Sequence, residues 1–163
     1  MVADATLRAE RTLPEAALDR PRVLLAHGNA DCRKIYGTVL GFDGFAVDTA
    51  SDLESAIGQL SVGHYDVVVS DLYLSSRGDE CLIRVMKGSA EMAHLPVVVL
   101  TGWTTESHRK LALELGAERF LGLPIRPREL SAILDQVLGR SPARLVQSIP
   151  PLKPTEPHVA NGL

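Results

Sequence analysis

The chain has 163 residues, 45% hydrophobic and 23% charged, which is enough apolar material for one ordinary core plus tails. A net charge of -3 argues against bulk attraction to nucleic acid or an anionic membrane. No apolar run approaches the roughly 20 residues of a membrane span, and Asp4, Arg8, Glu10 and Arg11 interrupt any secretory leader, so the reading is a cytoplasmic protein.

Residues 1–20 are rich in Ala, Leu, Glu and Arg and end at Pro21, which leaves room for a short helix that nothing fixes. From there short Val- and Leu-rich runs alternate with helical spacing. Arg22–Ala26 reads as a strand, followed by a helix with Cys32, Ile35, Tyr36, Val39 and Leu40 on one face and Asn29 as its N-cap. Phe45–Val47 is a weaker strand. The next helix carries Leu53, Ala56, Ile57 and Leu60, and Ser51 with Glu54 fits a capping box. Val67–Ser70 is a strand, then Leu82, Val85 and Met86 form a helical stripe for which Asp79 is the expected cap. Val97–Leu100, a helix bearing Leu111, Ala112 and Leu115, the strand Glu118–Leu121 and a helix bearing Leu130, Ile133, Leu134, Val137 and Leu138 complete the pattern. Residues 141–163 hold Pro142, Pro150, Pro151, Pro154 and Pro157 and read as a disordered tail. Pro151-Leu152-Lys153-Pro154 matches a PxxP ligand, but such matches arise by chance in proline-rich tails, and a linker is the plainer reading. Cys32 and Cys81 lie outside any CxxC or Cys/His cluster and read as buried, reduced thiols.

Five βα units in a row imply a parallel sheet covered by helices on both faces, with unbroken apolar strands at its centre. Ligands of such folds sit beyond the carboxyl ends of the strands. That selects His27–Asn29, Asp71–Ser75, Thr101–Gly102 and Leu123–Pro124 as the residues to read for chemistry. Asp71 ends the third strand, where a carboxylate is either a nucleophile toward a phosphoryl donor or an ordinary turn residue. Thr101 ends the fourth and is either a hydroxyl aimed at Asp71 or a plain turn Thr. Pro124 alone is a loop proline.

Together these segments resemble the receiver domain of response regulators over residues 21–140. The resemblance rests on Asp66-Val67-Val68-Val69-Ser70-Asp71-Leu72, on Leu95-Pro96-Val97-Val98-Val99-Leu100-Thr101-Gly102, and on Leu115-Gly116-Ala117-Glu118-Arg119-Phe120-Leu121-Gly122-Leu123-Pro124. It implies a flavodoxin-like (βα)5 doubly wound sheet with strand order 2-1-3-4-5. It also implies Asp71 as phosphoacceptor, Thr101 as switch hydroxyl and Phe120 as an aromatic that turns inward on activation, unless Phe120 is simply a core residue.

The chain departs from the family pattern at three places. His27 and Gly28 stand where receivers carry an acidic pair, and Gly28 offers no carboxylate to Mg²⁺, which prefers octahedral oxygen ligands. Leu123 replaces the lysine that pairs with the phosphoacceptor. Leu74-Ser75-Ser76-Arg77-Gly78-Asp79 is an unusual loop. Asp31 belongs in the first turn of the first helix, where it favours the dipole. No metal site is therefore expected, and any Mg²⁺ binding should be weak. His27 reads as a solvent-facing loop residue or, if protonated, as partial compensation beside Asp71. His64, His94, His108 and His158 read as surface residues. With no lysine left unpaired, Asp71→Asn is expected to be tolerated or mildly stabilising.

The functional expectation is a stand-alone receiver in phosphorelay (two-component) signalling. It would act by protein contact with a sensor kinase or another signalling protein, without enzymatic turnover of its own. A homodimer is compatible, and no nucleic-acid or membrane partner is expected. One version keeps Asp71 phosphorylatable; the other is a phosphorylation-independent pseudo-receiver. A flavodoxin-like cofactor binder is the rival from another class, disfavoured because His27-Gly28-Asn29-Ala30-Asp31 is a poor phosphate loop.

Overall fold

A computed structural model describes residues 20–75 and 79–140. The expectations for residues 1–19, 76–78 and 141–163, the PxxP segment and His158 among them, lie outside the described residues. Five strands alternate with five helices: β1 Arg22–Ala26, α1 Ala30–Phe42, β2 Ala46–Ala50, α2 Leu53–Val62, β3 Val67–Ser70, α3 Leu82–Lys87, β4 Val97–Thr101, α4 Glu106–Glu114, β5 Arg119–Gly122 and α5 Pro127–Val137. All strand pairs are parallel, in the order β2-β1-β3-β4-β5. The expected doubly wound flavodoxin-like topology is observed.

Successive strand side chains point to opposite faces, and this sorts the core into two layers. Val23, Leu25, Val67, Val69, Val98 and Leu100 face α1 and α5, meeting Tyr36, Leu40, Phe45, Leu130 and Leu134. Leu24, Ala26, Val68, Val97 and Val99 face the other way and meet Ala56, Leu60, Leu82, Ile83, Met86 and Ala112 of α2, α3 and α4. The three central strands are wholly buried apart from Arg22, whereas β2 and β5 are half-buried edges.

Helix starts follow local hydrogen bonding. The Asn29 side chain caps α1, accepting from the N–H groups of Asp31 and Cys32 at 2.9 and 3.1 Å, and Asp31 stands in the first turn as expected. Two expected caps are corrected. The cap of α2 is Asp52, which accepts from Ser55 N–H at 2.8 Å, while Ser51 donates to the Asp52 carboxylate. The first residue before α3 is Cys81, with no side-chain cap. Asp79 instead accepts from the Ser75 hydroxyl at 2.6 Å. Ile35 is also displaced from the expected core face, being 52% exposed, because α1 buries only the narrower stripe of Tyr36 and Leu40. Both cysteines are free thiols, Cys81 buried and Cys32 half-buried.

The two layers make a direct prediction. Leu134→Ala, which removes a fully buried side chain between α5 and the sheet, should cost about 2–5 kcal/mol in urea unfolding. Leu113→Ala, at a position 44% exposed, should change stability by about 0.5 kcal/mol or less. Similar losses for both would mean that the core is not where these layers put it.

Candidate functional site

At the carboxyl ends of the strands lies an open cleft of about 410 Å³, lined by Gly28, Asn29, Ser51, Asp71, Tyr73, Leu74, Ser75 and Trp103. Register brings its parts together. Ala26 pairs with Ser70 across β1 and β3, and the ladder runs one step further, with Asp71 N–H donating to Ala26 C=O at 2.9 Å. His27 and Asp71 therefore leave neighbouring strands side by side. Thr101 reaches the same point from the end of β4.

Both oxygens of the Asp71 carboxylate are faced by protein groups. The Thr101 hydroxyl donates to Oδ1 at 2.5 Å, the short distance of a charge-assisted bond. On the other side His27 Nε2 stands 3.4 Å from Oδ2, with side-chain exposures of 5% and 13% for the two residues. That separation is longer than a good N–H···O bond. Nε2 finds no hydrogen-bond partner among the described residues, so the contact is electrostatic in the main. The other ring nitrogen, Nδ1, accepts from Asn29 N–H at 3.1 Å. A nitrogen that accepts carries no proton, so the ring is the neutral Nε2–H tautomer with its N–H toward Asp71. Burial depresses the His27 pKa below its ordinary 6.5; the Asp71 charge pulls it back up, and the Arg33 guanidinium pushes it down. Arg33 donates to His27 C=O at 2.6 Å.

The reading of His27 as a solvent-facing loop residue is thus corrected: it is buried under the start of α1. The expectation for Asp71→Asn, which rested on the absence of a paired lysine, is read against these two neighbours. An asparagine that turns its oxygen toward His27 Nε2–H and its N–H₂ toward Thr101 Oγ1 would meet both neighbours.

Leu123 does not line the cleft. It packs against the α1/α5 layer, while its N–H donates to Thr101 C=O at 2.8 Å and holds β5 to β4. Gly28 lies close beneath the loop after β3: a Cβ there would come within 3.3 Å of Leu74 C=O. Phe120 is half-buried against the α2–α4 layer, and Pro124 is exposed beyond the cleft. Sequence reasoning missed an aromatic group at the rim. Tyr73 and Trp103 meet edge-on with centroids 5.6 Å apart, and His108 lies 5.3 Å from Trp103. His108, expected at the surface, is half-buried there; His64 and His94 are exposed as expected. The Trp103 backbone N–H donates to Thr101 Oγ1 at 3.2 Å, linking the rim to the hydroxyl bonded to Asp71.

A sequence profile described as the response regulator receiver domain matches residues 23–135. The chain belongs to the response regulator receiver family, a family of two-component signalling. It is 30% identical over 128 residues to the phosphate regulon transcriptional regulatory protein PhoB of Klebsiella pneumoniae, covering 78% of this chain and 56% of that protein. It is 29% identical over 119 residues to the transcriptional regulatory protein GltR of Pseudomonas aeruginosa, covering 73% and 49%. The chain spans about half the length of these curated relatives. Among solved structures, chemotaxis response regulator CheY4 of Vibrio cholerae aligns with TM-score 0.66 at 22% identity, over 73% of this chain and 99% of that one. The non-phosphorylated HemR receiver domain from Leptospira biflexa aligns with TM-score 0.65 at 25% identity, over 75% and 97%.

The donor set does not fit the Mg²⁺ ion that the family implies. The cleft offers one carboxylate, already engaged by Thr101, and a glycine where a second would stand. Among the described residues no three His, Cys, Asp or Glu side chains are grouped to hold a metal.

The geometry predicts that His27 keeps the Nε2–H tautomer near neutral pH and titrates below 6.5. Because the folded state holds this proton more weakly than the unfolded chain, His27 contributes stability above pH 6.5 that is lost as pH falls through the folded pKa. Imidazole ¹⁵N shifts read the tautomer directly. A ring protonated at Nδ1, or a pKa above 6.5, would contradict the geometry.

Proposed function

We propose that residues 21–140 form a receiver module that signals by contact with another protein and whose state is not set by metal-assisted phosphorylation. The observation that carries this reading is the double engagement of Asp71. In the family's terms Asp71 holds the phosphoacceptor position, Thr101 the switch hydroxyl and Phe120 the switch aromatic. Here the hydroxyl is already bonded to the bare carboxylate, a place that a phosphoryl oxygen would otherwise take. Phosphoryl transfer depends on positioning and on cations that neutralise developing charge. The cleft supplies neither the second carboxylate that would hold a cation nor a lysine, since Leu123 belongs to the core.

The pocket then works without a phosphoryl group, and the surface it shapes binds the partner. The α4–β5–α5 face is the output surface that the family resemblance supports, and a sensor kinase or other signalling protein is the partner class. The net charge of -3 favours a protein partner over nucleic acid. One observation favours a phosphorylatable Asp71 instead: its carboxylate lines the open cleft and remains 13% exposed.

Intact mass spectrometry after incubation with acetyl phosphate and Mg²⁺ separates the two. The native chain should gain no phosphoryl mass, whereas a chain carrying His27→Asp, Gly28→Asp and Leu123→Lys together should gain one at Asp71. The Gly28 change requires Leu74 C=O to give by a few tenths of an ångström, so folding of the variant is confirmed first by its unfolding curve. Ready labelling of the native chain would overturn the reading.

A further inference from the structure

The buried imidazole of His27 faces the Asp71 carboxylate, and it has a second partner. Asn29 N–H donates to His27 Nδ1 at 3.1 Å, and the Asn29 side chain caps α1. On the far side of Asp71, Thr101 Oγ1 donates to Oδ1 and accepts from Trp103 N–H. A continuous line of polar contacts thus runs from the N-cap of α1 through His27, Asp71 and Thr101 to the aromatic rim.

We infer that the His27–Asp71–Thr101 line is a proton-operated switch, in which one proton taken from solvent at His27 does the work that a phosphoryl group does in other receivers. The inference rests on the proposed function above. Nε2 already carries a hydrogen, so the incoming proton binds Nδ1. The new N–H then points at Asn29 N–H, two donors face to face, and the 27–29 turn must open, loosening the cap of α1. At the same moment the ring becomes a cation beside Asp71 Oδ2, strengthening that side of the carboxylate against the Thr101 hydroxyl on Oδ1. Thr101 and Trp103, which are bonded in series, move with it.

The charges acting on the ring come from Asp71, which favours the proton, and from Arg33 of α1, which opposes it along with burial. Asp31 and Asp52, at the starts of α1 and α2, are exposed to solvent. The carboxyl ends of β4 and β5 carry Thr101, Gly122, Leu123 and Pro124, none of them ionisable.

The test is a pH titration of the ¹⁵N-labelled full chain by NMR, from above neutrality to about pH 5. The His27 imidazole and the Asn29 and Thr101 amides should shift together with one midpoint, below 6.5. Trp103, the single tryptophan of the chain, gives a second readout. Its fluorescence in a His108→Gln background, free of quenching by the neighbouring ring, should follow the same midpoint and lose it when His27→Gln is added. Asn29 and Thr101 amides that stay still while His27 titrates would overturn the switch. So would a Trp103 transition that survives His27→Gln. If the glutamine variant fails to fold, the titration of the unsubstituted chain decides alone. Labelling by acetyl phosphate is read on a separate sample and would defeat the functional reading, while the pH titration of the unphosphorylated chain decides the switch, so the two failures are distinguishable.

Discussion

The hydrogen bond from Thr101 to Asp71 constrains everything around it. A carboxylate that is largely buried must find donors, because an unpaired buried charge is far more costly than a paired one. In a receiver of the usual pattern, a metal ion and a lysine answer that need. Here a hydroxyl answers it on one oxygen, at 2.5 Å, and a neutral imidazole faces the other. The remaining departures become consistent with one another on that basis. Gly28 has no ion to serve and fits beneath the Leu74 carbonyl. Leu123 has no carboxylate to meet and adds its apolar surface to the α1/α5 layer.

The exchange alters which events the pocket responds to. A site built from cations and carboxylates reads phosphate, since an added dianion rearranges every charge in it. On the inference drawn here, a site built from a hydroxyl, one carboxylate and a neutral ring responds to the protonation of that ring. On the proposed reading the fold is kept while the chemical input is changed, which accords with the general separation of fold from function.

Much of the architecture was legible because the central strands are buried on both faces. Val67–Ser70 and Arg22–Ala26 emerge with their observed limits. The edge strands β2 and β5 were displaced by a residue or more, since half-buried edges leave a weak apolar signal. The α2 cap was assigned to Ser51 because Ser51 and Asp52 are adjacent and equally suited to capping; only geometry shows which one turns toward Ser55. The place of Asp71 and Thr101 at neighbouring strand ends was also legible. The burial of His27 was not drawn out, although the signal was there. Position 27 continues the parity of Val23 and Leu25, and parallel register sets it beside Asp71. The rim of Tyr73, Trp103 and His108 comes from loops and a helix start far apart in sequence, and no periodicity reports such a meeting.

The central claim is that the Asp71 carboxylate is engaged by protein groups and takes neither metal nor phosphoryl. A crystal structure grown with Mg²⁺ and beryllofluoride, a stable phosphoryl analogue, tests it most directly. The account predicts a cleft free of both, with Thr101 still bonded to Asp71 and the imidazole of His27 still facing the other oxygen. Beryllofluoride bound to Asp71 with Mg²⁺ beside it, and Thr101 turned from the carboxylate to a fluorine, would contradict the account.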